Sequence, residues 1–250
     1  MNLSLSGRRA IVCGSTSGIG RACAQLLAER GASVVLAARD EEKLISTVNS
    51  LDGDDHSYIC ADFNEPDDLR LKTIDHINKT GVIHILMNNS GGPPGGRLIE
   101  ANTDEFEIAF KRHVISSHIL TQAVVPGMKE EGYGRIINII STSINQVIPG
   151  LGVSNTIRGA VAQWVKTLAI ELGPYGITAN NVLPGYIDTD RLKNLLEKSA
   201  KDKNITYDQI VTETAKKTSL GRIGLPTEVA SAVAFIASEA GGYISGTNFS

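Results

Sequence analysis

Apolar positions along the chain fall into two alternating rhythms. Short, nearly continuous runs rich in β-branched residues (RRAIVC, SVVLAA, HSYIC, VIHILMN, RIINII, GITANNV and YISGTNF) predict strands. The stretches between them repeat apolar residues every three or four positions, the period of a helix buried along one face. Strands that are apolar on both faces and joined by helices imply a parallel sheet covered on both sides, so the fold class is α/β with a doubly wound sheet of about seven strands. Ligands of such sheets lie outside the carboxyl ends of the strands, so functional residues are sought just after each strand. Two long helical patterns cover about 102–130 and 151–173, and a polar, Lys-rich segment at about 188–222 predicts an excursion from the sheet that serves as a substrate lid. No linker or internal repeat divides residues 1–250, which read as one domain.

The first predicted strand runs into CGSTSGIGRACAQLLAERG. Gly14, Gly18 and Gly20, with Ser15, Ser17 and Ile19 between them, occupy a strand-to-helix turn. There, absent side chains let the backbone approach a pyrophosphate, and the following helix offers its unpaired N–H groups. This predicts a Rossmann-like dinucleotide-binding domain. After the second strand, Ala38 stands where an acid would clasp the ribose hydroxyls of NAD, and Arg39 follows. A cation there suits a 2'-phosphate and favours NADP(H) over NAD(H). Asp62 and Phe63 after the third strand are candidates for the adenine, and Asn89 and Gly91 after the fourth for the adenosine ribose.

The formal net charge is −3 with no basic run interleaved with aromatics, which argues against nucleic acid as a partner. No apolar run is long enough to span a membrane and the N-terminus lacks a signal-peptide pattern, so the expected location is cytoplasmic. Cys13, Cys23 and Cys60 lie in apolar patterns without metal-ligand spacing and read as small core residues, with no metal site.

Taken in order, these segments resemble the short-chain dehydrogenase/reductase family, and in particular 3-oxoacyl-acyl-carrier-protein reductases. GSTSGIG is similar to the family's TGxxxGxG with Cys13 for the leading threonine, ADF to its adenine-contact segment, NNSG to NNAG, and GRIINIIS to the strand ending at the catalytic serine. PGYIDT is similar to PGxxxT, which implies that Pro184, Gly185, Ile187 and Thr189 meet the nicotinamide. The chain ends at TNFS, where the family pattern usually continues into VDGG. The resemblance also implies a homotetramer, formed by pairing of the two long helices, and a small-molecule substrate.

The same resemblance exposes a departure. The family reduces carbonyls with Tyr-x-x-x-Lys on the helix that here reads GVSNTIRGAV, a serine thirteen residues before the tyrosine, and an asparagine on the preceding long helix. Ser141 matches the serine, whereas Ser154, Arg158 and His113 stand at the tyrosine, lysine and asparagine positions. A serine hydroxyl is shorter and far less acidic than a phenol, so Ser154 does not replace a tyrosine directly. A guanidinium retains the positive charge and can hold ribose hydroxyls or a substrate carboxylate, which makes Arg158 a candidate for cofactor or substrate contact. His113 and Tyr186 are the candidates for proton supply, while Ser141 can donate a hydrogen bond to a substrate oxygen. His56, His76, His84 and His118 fall in strand or helix patterns and read as structural or surface residues. GGPPGG (91–96) and NQVIPGLG (145–152) are expected to border the pocket. Two function classes follow. One is an NADP(H)-dependent oxidoreductase of this family type with atypical proton chemistry; the other is an NADP-binding non-redox enzyme or a catalytically silent binding protein on the same fold.

Overall fold

The computed structural model describes residues 1–250. Seven parallel strands, β1 (Arg9–Cys13), β2 (Ser33–Ala38), β3 (Ser57–Cys60), β4 (Ile85–Asn88), β5 (Gly134–Ile139), β6 (Ile177–Val182) and β7 (Asn248–Phe249), form one sheet in the order β3-β2-β1-β4-β5-β6-β7. The chain winds outward from β1 to β3, then returns to the other side of β1 at β4. This reversal opens a crevice between the carboxyl ends of β1 and β4, where ligands of doubly wound sheets bind.

The period-two pattern sorts side chains to the two faces of the sheet. Ala10 and Val12 of β1, with Leu36 and Met87, join a core beneath α1 (Gly18–Glu29) and α9 (Pro226–Ala237). Ile11 and Cys13, with Val35 and Leu86, join a core beneath α3 (Pro66–Thr80), α5 (Ser116–Glu130) and α6 (Gly152–Leu172). A helix on each face is what strands apolar on both sides demand. Cys13 and Cys23 are fully buried, and burial pushes both thiols up to about 12, while Cys60 is partly exposed. Two histidines complete strand edges rather than a site: His84 Nδ1 accepts from Arg9 N at 3.0 Å, and His56 Nδ1 accepts from Val34 N at 3.0 Å.

Two elements differ from the sequence expectation. The long helical pattern at 102–130 is α4 (Thr103–Phe110) and α5, joined by a wide π-helical turn over Lys111–Ile115 that carries His113. The YISGTNF strand shrinks to the two residues of β7, because Ile244 N bonds back to Gly241 O and Gly246 turns through a left-handed φ of 74°.

Between β6 and α9 the chain leaves the sheet as α7 (Asp190–Lys203) and α8 (Tyr207–Ala215), preceded in chain order by α2 (Glu41–Val48) after β2. These two helices bury a separate cluster of Leu192, Leu196, Ala200 and Ile210. The base of the excursion is clasped by Asp188 N to Gly224 O and Gly224 N to Tyr186 O, both 2.9 Å.

Candidate functional site

A cleft of about 600 Å3 runs along the carboxyl ends of β1 to β6. Its first end is the glycine turn. Gly14 and Gly18 adopt left-handed φ values of 59° and 52°, which side chains rarely tolerate. A Cβ at Gly20 would collide with Gly14 O, so this position packs the start of α1 against the strand end. Asn89 Nδ2 donates to Cys13 O at 3.2 Å and braces the turn from β4. The N-cap of α1, Ser17, makes no side-chain cap bond and the first turn holds no acid, so the helix presents its N-terminal amides to the cleft.

At the end of β2, Arg39 and Lys43 line the cleft. Asp40 is also there, but its carboxylate caps α2 by accepting from Lys43 N at 3.1 Å and pairs with Lys43 Nζ at 2.9 Å, which holds its pKa below the usual carboxylate range. Asp62 Oδ1 accepts from Asn64 N at 2.9 Å, and Phe63 lies beside it on the cleft wall.

The other end is built by β5, α6 and the segment after β6. Ser141 caps the turn after β5; its Oγ accepts from Ser143 N at 3.1 Å and keeps its proton free to donate. Ser154 and Arg158 lie one turn apart on α6, and both are buried and line the cleft. Arg158 Nη1 donates to Ile139 O at 2.9 Å. Burial, and next the charge of Arg191, push its guanidinium down to about 10, so it remains a cation at neutral pH. The loops 91–96 and 145–152 are zipped together by Gly96 N to Gly150 O at 2.7 Å and Gly152 N to Gly96 O at 3.2 Å, and Gly91, Gly92, Ile148 and Leu151 border the cleft.

Residues 14–250 match the family model described as enoyl-(acyl carrier protein) reductase. The chain belongs to the short-chain dehydrogenase/reductase family. It is 33% identical over 246 residues to a 3-oxoacyl-(acyl-carrier-protein) reductase of Vibrio cholerae, covering 98% of this chain and 95% of that one. The structure of L-sorbose reductase from Gluconobacter frateurii with NADPH and L-sorbose superposes with a TM-score of 0.94 at 28% identity, covering 100% of this chain and 96% of that one. A 3-ketoacyl-(acyl-carrier-protein) reductase of Brucella melitensis complexed with NADH superposes with a TM-score of 0.87 at 26% identity, covering 98% and 97%. Its membership makes this chain a relative of reductases whose structures hold NADPH or NADH. No helix is long and apolar enough to cross a membrane.

Within this family member, most residues singled out by sequence line one cleft: Gly14, Ser17, Gly18, Ile19, Arg39, Asp62, Phe63, Asn89, Gly91, Ser141, Ser154, Arg158, Pro184, Gly185, Tyr186, Ile187 and Thr189. Three do not. Ser15 is fully buried away from the cleft, and its neighbour Thr16 takes that wall; Gly20 does not border the cleft, and its missing Cβ lets the first turn of α1 pack against Gly14. His113 faces inward to a cavity of about 10 Å3 behind the cleft, shared with Asn88, Asn138 and Arg158, which is room for about one water. Its Nδ1 is 2.7 Å from Ser90 Oγ, while Nε2 has no partner. Burial, followed by the charges of Arg158, Arg112 and Arg191, pushes its pKa down to about 2. A histidine so placed borders the small cavity rather than the cleft, and its lowered pKa favours the neutral ring, both of which argue against the proton-donor role suggested by its position in the sequence. Arg191 and Arg112, which the sequence reading missed, line the cleft instead.

The neutral, buried His113 has a consequence for stability. The unfolded chain takes up this proton below about 6.5 and the folded chain only near 2, so between these values folding loses stability as pH falls. Between pH 6 and 4 the unfolding free energy should fall about 1.4 kcal/mol per pH unit more steeply than in His113→Asn. Urea titrations at several pH values check this; parallel pH dependences would mean that His113 is protonated in the folded protein.

Proposed function

We propose that this chain is an NADP(H)-dependent reductase of a carbonyl substrate, or the dehydrogenase of the corresponding alcohol, in which the residue at the usual tyrosine position is not the proton donor. The observation that carries the reading is the continuity of one cleft, from the glycine turn past Arg39 to Ser141 and Arg158. The glycine turn and the amides of α1 fit a pyrophosphate. Arg39, with Lys43 beside it and Asp40 already engaged, fits a 2'-phosphate. Pro184, Gly185, Ile187 and Thr189 fit the nicotinamide end, with residues 188–222 as the lid above it. When bound, the nicotinamide supplies or accepts the hydride.

The protein's own groups handle the developing charge. The Ser141 hydroxyl can donate to the substrate oxygen, and Arg158 supplies a fixed positive charge beside it. Ser154 lies on the same face but has neither the reach nor the acidity of a phenol. Tyr186 carries the one phenol that lines the cleft, and we assign it the proton transfer. Following NADPH absorbance with a broad panel of ketones, aldehydes and oxo acids tests the reading. A turned-over carbonyl is the expected result, and tight NADPH binding without turnover of any of them would instead favour a silent nucleotide-binding protein.

The cofactor preference has its own test. Arg39→Ala should weaken NADPH binding about tenfold or more, the scale of one charge-assisted contact, and leave NADH binding within about twofold. Fluorescence titration of both cofactors reads this directly. Equal losses for the two would remove the 2'-phosphate from the account.

A further inference from the structure

Besides Arg39, three guanidinium groups line the cleft, those of Arg112, Arg158 and Arg191, and none of the three lies within 4 Å of a carboxylate. Two of the acids that share the cleft wall are engaged elsewhere, Asp40 with Lys43 and Asp62 with the Asn64 amide, while the third, Asp190, makes no ion pair with any of the three arginines. The arginines are held in place by neutral backbone and amide oxygens. Arg191 donates from Nη1 to Gly92 O at 3.1 Å and from Nη2 to Pro93 O at 2.6 Å, and Arg112 donates to Asn64 Oδ1 at 3.1 Å and Gly91 O at 3.3 Å. Arg158, 9% exposed, spends one of its five N–H donors on Ile139 O. Like charges gathered in a partly closed site repel one another, and here the charge of Arg191 helps to lower the pKa of Arg158. Such an arrangement is relieved when an anion enters. The positive field is strengthened by α6, whose N-terminus has no side-chain cap and no acid in its first turn. Ile148, Leu151, Leu192 and Leu195 add apolar surface to the lining of the same cleft.

We propose that the substrate is an organic acid, whose carboxylate is held by Arg191 while its apolar body lies against Ile148, Leu151 and Leu195 and its reacting oxygen faces Ser141 and Arg158. A guanidinium fixed in this way matches a planar carboxylate. The inference rests on the reading that the cofactor occupies the glycine-turn end, which leaves the arginines to the substrate rather than to the cofactor phosphates.

Calorimetric titration of the NADP+-loaded protein with benzoate and with benzamide, its neutral counterpart, tests the proposal without requiring turnover. Benzoate should bind at least about tenfold more tightly than benzamide, the worth of one charge-assisted pair. Arg191→Gln should erase that preference while leaving NADPH affinity unchanged, and Arg191→Lys, which keeps the charge but not the fork, should retain part of it. Equal affinities for acid and amide, including no binding of either, overturn the proposal. So does a loss of NADPH affinity in Arg191→Gln as large as the loss for benzoate, because the guanidinium then serves the cofactor. A benzoate preference that persists in a protein unable to transfer hydride would leave the anion site standing and refute the reductase reading alone.

Discussion

Gly20→Val is expected to weaken NADPH binding by about a hundredfold or more and to lower Tm by about 5 °C, the scale of a few kcal/mol of overpacking in a chain of this size. A branched side chain at this position has no room, because its Cβ would already collide with Gly14 O and come within 2.9 Å of Asn89 Nδ2. The obstacle is backbone, which cannot rotate away, so either the start of α1 or the glycine turn must move. Both form the proposed anion cradle. Ser15→Ala is the control: it is also within the glycine-rich segment, yet its side chain is buried away from the cleft, and NADPH affinity should stay within about threefold of the parent. Cofactor fluorescence and thermal unfolding measure both effects. A Gly20→Val protein that binds NADPH normally would show that the cofactor does not use this turn.

Arg158→Ala is the second substitution with a large expected effect. It removes the buried cation of the active-site face, together with its bond to Ile139 O. If Arg158 stabilises charge developing on the substrate oxygen, kcat/KM should fall by about a hundredfold or more, in the range seen for loss of an electrostatic donor. Ser154→Ala, one turn away on the same helix, should lower it by no more than about threefold, because a hydroxyl that takes no part in the chemistry is worth little there. The contrast matters more than either value. A Ser154→Ala protein that binds NADPH normally but has lost turnover would place the serine in the chemistry and reverse the roles assigned along α6. Burial lowers the Arg158 pKa but leaves it a cation at neutral pH, so its contribution should be flat across the neutral range.

The sheet, the glycine turn and most of the cleft wall were legible in the sequence because each rests on a local signal. Strand runs announce burial on both faces, and glycines after a strand announce a backbone that must come close to something. The wide turn at Lys111–Ile115 had no such signal, since KRHVI contains neither glycine nor proline and continues the helical period. His113 shows the limit of reading by position. Its slot could be counted, but the Ser90 hydroxyl on its ring, its burial behind the cleft and the three arginine charges around it depend on four separated segments meeting. Arg191 was missed for the opposite reason: in a polar, Lys-rich stretch, one more cation carries no sign of facing inward. Its place is set by the carbonyls of Gly92 and Pro93, almost a hundred residues earlier in the chain.

The most direct test of the account is the transfer of label from cofactor to product. The protein is incubated with NADPH deuterated at C4 of the nicotinamide and a mixed panel of ketones, aldehydes and oxo acids, and the products are examined by mass spectrometry. The account predicts an alcohol carrying one deuterium from the cofactor, formed by the parent and by Ser154→Ala and strongly reduced in Arg158→Ala. Tight NADPH binding with no deuterated product from any member of the panel would contradict it.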